Sequence, residues 1–190
     1  MFSKMIALKV LRFDEGNVTV KDRTVVFIPA EIIVYLQEEI ESECGEEAAQ
    51  KIMFKAGKHQ TLTGSTRYLM EKKELRRAFP RVPETGDPSL EMGREILKFS
   101  GWGDTKIKSI SKNGHEIILT TKNSPIAKEF LKKRGKSKKP VCHYLAGILE
   151  GVIESVYKGK FKAVERTCSA TGISDVCIFE FRKVSPRKKS

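Results

Sequence analysis

Pro140-Val141-Cys142-His143-Tyr144-Leu145-Ala146-Gly147-Ile148-Leu149-Glu150-Gly151-Val152-Ile153-Glu154-Ser155-Val156 is the stretch on which the fold turns. Val141, Tyr144, Leu145, Ile148, Leu149, Val152, Ile153 and Val156 recur at i, i+3, i+4 and i+7, the period of a helix with one apolar face. Gly147 and Gly151, four residues apart on its flank, permit another element to pack closely. A helix this apolar needs cover, and the segments on either side supply it.

Downstream, residues 161–168 and 177–184 alternate as two strands joined by residues 169–176. Upstream, residues 106–111 and 116–121 flank Asn113-Gly114, a strong hairpin signal, and a short helix is expected over 124–133. Another helix is expected from about Ser89 to Phe99, after the breaker-rich loop 83–88 and before Gly101-Trp102-Gly103. Pro29 suits the first turn of a helix that places Ile33, Leu36, Ile40 and Cys44 on one apolar face and stops at Gly45. By that pattern Cys44 is core packing. A second helix from Glu46 is expected to bury Ala49, Ile52, Met53 and Ala56, with Gly57 and Gly64 as points of close approach. Residues 6–11, 18–20 and 24–28 read as short strands. The expected fold is α/β in the α+β sense: a mixed, mainly antiparallel sheet packed with helices. One domain is expected over residues 1–184, with a basic disordered tail at 185–190.

The chain of 190 residues carries 36 Lys and Arg against 24 Asp and Glu, a net +12. Much of the excess lies in residues 132–139 and in the tail, and both read as solvated charge runs, so nucleic acid is an unlikely partner on this count. Gln and Asn are scarce beside abundant Lys, Glu and Ile, a bias seen in heat-loving and archaeal proteins. No stretch reaches the ~20 apolar residues of a membrane-spanning helix, and the N-terminus lacks the apolar run of a signal peptide. A cytoplasmic location is therefore expected, where clustered thiols more often mean metal or redox chemistry than disulfides.

Three of the four cysteines fall between positions 142 and 177. Cys142 lies in the first turn of the long helix, where unpaired N–H groups and the helix dipole favour a thiolate. Cys168 and Cys177 flank the closing hairpin, and Glu165 stands three residues before Cys168. Strict alternation puts 165 and 168 on opposite faces, so a shared site requires the strand to end or bulge near Thr167. Three thiolates and a carboxylate around zinc carry a formal charge of about −2, and Arg166, Lys138 and Lys139 are close enough in sequence to offset it. With four protein ligands such a zinc is structural, with no position open to substrate. Spacing alone leaves a second reading open, in which these are reduced cysteines beside a surface glutamate.

Residues 145–151, Val164-Glu165-Arg166-Thr167-Cys168 and Gly172-Ile173-Ser174-Asp175-Val176-Cys177-Ile178-Phe179 resemble the C-terminal signature of the 4-vinyl reductase (4VR) domain family. Ile28-Pro29-Ala30-Glu31, Leu36-Gln37-Glu38-Glu39, Gly45-Glu46-Glu47-Ala48-Ala49 and Ala56-Gly57 resemble it more loosely. That family includes the sensor domains of phenol-responsive activators, and its fold is related to TRAPP transport-particle subunits and haem-nitric-oxide domains. The resemblance implies a structural zinc on Cys142, Glu165, Cys168 and Cys177, a homodimer, and a hydrophobic small-molecule pocket between helices and sheet. It also implies a sensor-type function exerted through the dimer or a regulatory protein partner.

The sequence departs from those sensors in having no GxxxxGK[ST] loop, and neither His59 nor Trp102 stands at a clear counterpart of their phenol-holding His and Trp. Met53, Phe54, Tyr68, Met92, Phe99 and Trp102 are the candidate pocket residues. His59 reads as exposed or hydrogen-bonded, and His143 as a helix-surface residue. No Ser/His/Asp set and no nucleotide-cofactor fingerprint is present, so no catalytic residue is assigned and a non-enzymatic role is expected. Two other readings stand behind it: an enzyme or enzyme accessory in tetrapyrrole or hydrocarbon metabolism, and a basic nucleic-acid-associated protein.

Overall fold

The structure is a computed structural model that describes residues 11–14, 16–20, 23–63 and 88–184. The expected strand at 6–10, Gly64, Tyr68, the loop at 83–87 and the basic tail lie outside these residues. An antiparallel meander comes first, of β1 (Leu11–Asp14), β2 (Asn17–Val20) and β3 (Arg23–Val25). Helices α1 (Glu31–Cys44), α2 (Glu46–Thr63) and α3 (Pro88–Phe99) follow. A second sheet contains β4 (Asp104–Ile110), β5 (Glu116–Lys122), β6 (Phe161–Thr167) and β7 (Val176–Lys183), with α4 (Pro125–Arg134) and α5 (His143–Tyr157) between β5 and β6. Its strand order is β4-β5-β7-β6, antiparallel throughout. The α+β architecture is as expected, but its strands form two sheets where one was foreseen. Among the described residues no helix is long and apolar enough to cross a membrane.

The long apolar helix lies at the centre of the core. Leu145, Ile148, Leu149, Val152 and Ile153 of α5 are buried with Ile117 and Leu119 of β5, Phe179 and Phe181 of β7, and Leu90, Ile96 and Leu97 of α3. Its other flank meets α2 with almost no space between the backbones. A Cβ on Gly147 would lie 2.0 Å from the Phe54 carbonyl oxygen, and one on Gly57 would lie 2.0 Å from the carbonyl oxygen of Tyr144. Thr61, fully buried, donates its hydroxyl to the Ile148 carbonyl at 3.1 Å. The buried face of α2 is therefore Ala49, Met53, Gly57 and Thr61, a straight i, i+4 row centred on the glycine contact. Ile52 and Ala56, expected inside, are exposed, because the Gly57 contact rotates the helix away from them.

Helix α1 also differs from the expected face. Ile33 and Val34 are buried, whereas Leu36 is 49% exposed and Cys44 is exposed. The helix packs on α2 and α4 at the perimeter and does not lie across the sheet, so its buried stripe is narrow and points between those two neighbours. Residues 132–139 are likewise not free in solvent. Lys132, Lys133 and Arg134 form the last turn of α4, where cations complement the helix dipole. Arg134 donates to both carboxylate oxygens of Glu38, at 2.6 and 2.8 Å, and Lys139 Nζ lies 2.7 Å from Glu46 Oε2. Half of that basic run is thus matched to acidic residues of α1 and α2.

Two glutamates of α5 connect the helix pair to the sheet. Glu150 and Glu154 are buried on the α2 side, with Lys58 Nζ 2.6 Å from Glu150 Oε1 and 3.0 Å from Glu154 Oε1. The same carboxylates accept the N–H groups of Ala163, at 2.6 Å, and Phe161, at 2.9 Å, on edge strand β6. Burial works to raise the pKa of Glu154, but the Phe161 N–H and Lys58 outweigh it and hold the carboxyl below its ordinary value. Burial likewise works to lower the pKa of Lys58, and Glu150 and Glu154 outweigh it and raise it. A depressed carboxyl stabilises the fold above its ordinary pKa, and that contribution is lost as pH falls through the depressed folded value. A raised ammonium stabilises below its ordinary pKa, and that part is lost only as pH rises through the raised folded value. The network is therefore at full strength across the neutral range. Lys58→Met leaves two buried carboxylates without their cation, and a loss of about 3 kcal/mol is expected in urea unfolding at pH 7. The loss shrinks below about pH 4, where the carboxylates of both proteins take up protons.

Candidate metal centre

Three elements end at one point. Cys142 is the residue before α5, Glu165 lies near the end of β6 with Cys168 just beyond it, and Cys177 is the second residue of β7. The strand irregularity required for Glu165 and Cys168 to share a site is present. Glu165 pairs with Phe179 and Thr167 with Ile178, a shift that leaves Arg166 bulged out of register. A short 3-10 turn, Ser169–Thr171, then returns the chain toward Cys177 and ends at Gly172, whose φ of +74° is readily adopted only without a side chain.

The four donor atoms all lie within 4.8 Å of one another. Cys142 Sγ is 3.8 Å from Cys168 Sγ and 3.8 Å from Cys177 Sγ, nearly twice the length of a disulfide. Tetrahedral zinc with bonds of about 2.3 Å to sulfur places its sulfurs about 3.8 Å apart, so the spacing fits without rearrangement. All three thiols are fully buried. Glu165 Oε2 accepts the Cys142 N–H at 3.0 Å, while Oε1 is buried with no hydrogen-bond partner. A buried carboxylate oxygen without a partner costs on the order of 1–3 kcal/mol or more, and a cation among the donors removes that cost.

The electrostatics agree with this. Burial first, and then the charge on Cys177, raise the Glu165 pKa to about 8. Cys142 is pushed well up, the thiols of Cys168 and Cys177 contributing ahead of burial. Cys177 is pulled down to about 2 by hydrogen bonds from Cys142 and Cys168, with the Ser169 hydroxyl and N–H adding to them. Without a cation, one thiolate is the negative charge that this pocket holds.

The lysine and arginine side chains expected to offset a bound metal's ligands do not gather there. Arg166 pairs at 2.7 Å with Glu180, and Lys139 pairs with Glu46. The bulge explains Arg166, which points away from its neighbour Glu165. Uncharged donors replace the cations. Ser124 Oγ lies 3.3 Å from Cys142 Sγ, and both the N–H and the hydroxyl of Ser169 lie 3.4 Å from Cys177 Sγ. Neither serine was singled out from sequence, although Ser124-Pro125 is a helix-start signature and Ser169 directly follows a ligand. Such partners orient thiolates and spread their charge.

The fold and this cluster define an α+β domain in which one helix and one hairpin meet at a thiolate and carboxylate clasp. Residues 121–183 match the family model of the vinyl-4-reductase (4VR) domain, so this part of the chain carries that domain, as the resemblance in its sequence implies. All four donors fall inside that match. The chain is similar, at 31% identity over 102 residues, to an uncharacterized protein of Methanocaldococcus jannaschii, the match covering 53% of this chain and 59% of that protein. Among solved structures it is similar to the phenol-responsive sensory domain of the transcription activator PoxR with phenol. The TM-score there is 0.72 at 17% identity, over 95% of this chain and 88% of the other. It is also similar to a trafficking protein particle complex subunit 3 from Naegleria fowleri covalently bound to palmitic acid. That TM-score is 0.56 at 13% identity, over 84% and 95% of the two chains. At these identities the likeness is one of fold.

The candidate pocket residues are spread around the core. Met53 and Met92 are buried, Phe54 is half-buried, Phe99 is 45% exposed, and half-buried Trp102 stacks on Tyr144 with ring centroids 5.5 Å apart. Leu90, Leu97, Ile107, Leu119, Leu149 and Val152 enclose an apolar gap of about 10 Å³ between α3, the sheet and α5, room for about one water. None of the candidate residues lines it. A larger open cleft, about 230 Å³, runs between the α1–α2 elbow and the segment leading to α5, and its walls are polar. His59 is exposed; His143 is half-buried, and burial lowers its pKa against the opposing charge of Glu46.

Proposed function

We propose that this chain is a small-molecule-binding, sensor-type domain in which a structural zinc shapes the ligand-binding half. The observation that carries the metal is the convergence of four donors at tetrahedral spacing, with one carboxylate oxygen buried and otherwise unpartnered. Cys142, Cys168 and Cys177 would supply thiolates and Glu165 one oxygen. Zinc supplies cross-linking charge and no reaction, because four protein ligands leave no open position. Ser124 and Ser169 would hold the sulfurs in place, and the Cys142 N–H would orient the carboxylate.

The fold it shares with a phenol-responsive sensory domain supports the ligand-binding part of the reading. The ligand is hydrophobic and sits in the space between α2, α3, α5 and the sheet, with Met53, Phe54, Tyr68, Met92, Phe99 and Trp102 as its proposed contacts. Its output passes through a homodimer or a regulatory protein partner in the cytoplasm. Native mass spectrometry of protein from its own source is expected to show a dimer of twice the 21.5 kDa chain mass, one zinc per chain and a retained apolar molecule. A monomer that retains no small molecule and shows no thermal shift with phenols or fatty acids would remove the sensor reading.

A further inference from the structure

Helix α4 is fastened to the metal centre at both ends. At its start, fully buried Ser124 accepts the Ala127 N–H at 3.4 Å and lies 3.3 Å from Cys142 Sγ. One hydroxyl serves both neighbours in a single way: its lone pair takes the N–H and its proton goes to sulfur. That arrangement is strongest when the sulfur is a thiolate, as a metal ligand must be. Just past the other end, the Ser137 N–H donates to the Ala170 carbonyl at 2.9 Å. Ala170 sits in the turn between Cys168 and Cys177, and the Lys136 side chain lies across Gly172 of the same loop.

The last turn of α4 holds α1. Lys133 Nζ lies 3.6 Å above the Tyr35 ring and 3.6 Å from Glu31, and Arg134 makes its double contact with Glu38. These are charged contacts along one side of a helix that buries only Ile33 and Val34. Little apolar packing competes with them, so the position of α1 is sensitive to where the end of α4 is held.

We infer that α4 is a lever that couples occupancy of the metal centre to the docking of α1. The inference rests on the metal reading above and adds what the metal controls. With the sulfurs and turn fixed by zinc, both fastenings of α4 are made, and Lys133 and Arg134 stand where α1 can meet them. With zinc removed, the three sulfurs lose their common anchor, the turn between Cys168 and Cys177 is released, and α1 loosens while the core of α5 and β5 stays folded.

Hydrogen–deuterium exchange of the full chain, loaded with zinc or treated with a chelator, tests this, with zinc content measured on the same samples. Peptides of residues 31–44 are expected to exchange about tenfold faster after chelation, the size of a typical coupling, while peptides of residues 116–122 and 148–156 change little. In a Lys133→Ala/Arg134→Ala chain, zinc stays at one per chain but the ratio between the two states falls toward one. A merely structural role for these residues would speed exchange equally in both states and leave the ratio intact. Ser124→Gly keeps the helix start at small cost yet lowers the ratio, and Ser124→Thr restores it. A wild type that holds no zinc overturns the metal reading and the lever together. Zinc binding with unchanged exchange in residues 31–44, an unchanged ratio in either variant, or loss of protection throughout the core on chelation overturns the lever alone.

Discussion

A chain carrying Cys168→Ser and Cys177→Ser together is expected to bind no zinc, where the wild type binds about one per chain, and to unfold at a much lower temperature. The two sulfurs come from either side of the closing hairpin, and Cys142 joins them from the start of α5. Removing them frees the hairpin end from the helix and leaves Glu165 Oε1 buried with neither hydrogen bond nor cation. Structural zinc contributes about 10–16 kcal/mol to the folding of small zinc peptides. Here the core of α5 and the sheet exists apart from the clasp, so the expected loss is a fraction of that, about 5 kcal/mol, or about 10–20 °C in a chain of this length. Calorimetry beside elemental analysis decides it. Chelated wild type should melt with the variant, and equal metal content and equal midpoints in the two proteins would sink the assignment.

Gly147→Ala carries the second large effect, for a different reason. The added methyl would meet the Phe54 carbonyl oxygen at 2.0 Å and the Lys58 nitrogen at 2.9 Å, both main-chain atoms of α2 that no rotamer change can move. The two helices must separate, which loosens the Thr61 hydroxyl from Ile148 and draws Lys58 from Glu150 and Glu154. Overpacking a core typically costs about 1–3 kcal/mol, and a clash with backbone belongs at or above the top of that range. Gly159→Ala is the matched control. Its methyl would meet only the flexible end of Lys183, at 3.0 Å, and a change within about 1 kcal/mol is expected. Equal denaturation midpoints for the two variants would show that the close contact of α2 and α5 carries no special weight.

Much of this was legible in sequence where one residue type has one physical use. The period of the helix at Pro140 marked the core, Asn113-Gly114 marked a hairpin, and three thiols with a glutamate marked a cluster whose requirement for a bulge was stated and met. The flanking glycines announced a close neighbour, although not that Gly57 would be its counterpart. What failed depended on which neighbours a helix has. Leu36, Cys44, Ile52 and Ala56 follow apolar periodicity as well as the residues that are buried, but periodicity gives no direction for the neighbouring element. The basic run at 132–139 looked solvated because its partners Glu31, Glu38 and Glu46 lie about 90–100 positions away. The serines beside the sulfurs went unnoticed because a hydroxyl donor has no characteristic spacing. Glu150 and Glu154 did leave a trace, two acids one turn apart inside an otherwise apolar helix, which is a buried partner's signature.

Those two glutamates bear on how copies of this chain can meet. β6 ends its sheet, and an unpaired row of N–H groups there would invite a strand from a second molecule to continue the ladder, the route by which sheets polymerise into fibrils. Glu150 and Glu154 occupy the N–H groups of Ala163 and Phe161 from within the same chain. An incoming strand would have to displace both carboxylates, returning two buried charges to a cavity that has only Lys58 and Lys160 to hold them. Solubility at this edge is therefore written into the interior of the protein, in the acids of its most apolar helix, and not into the lysines on its surface.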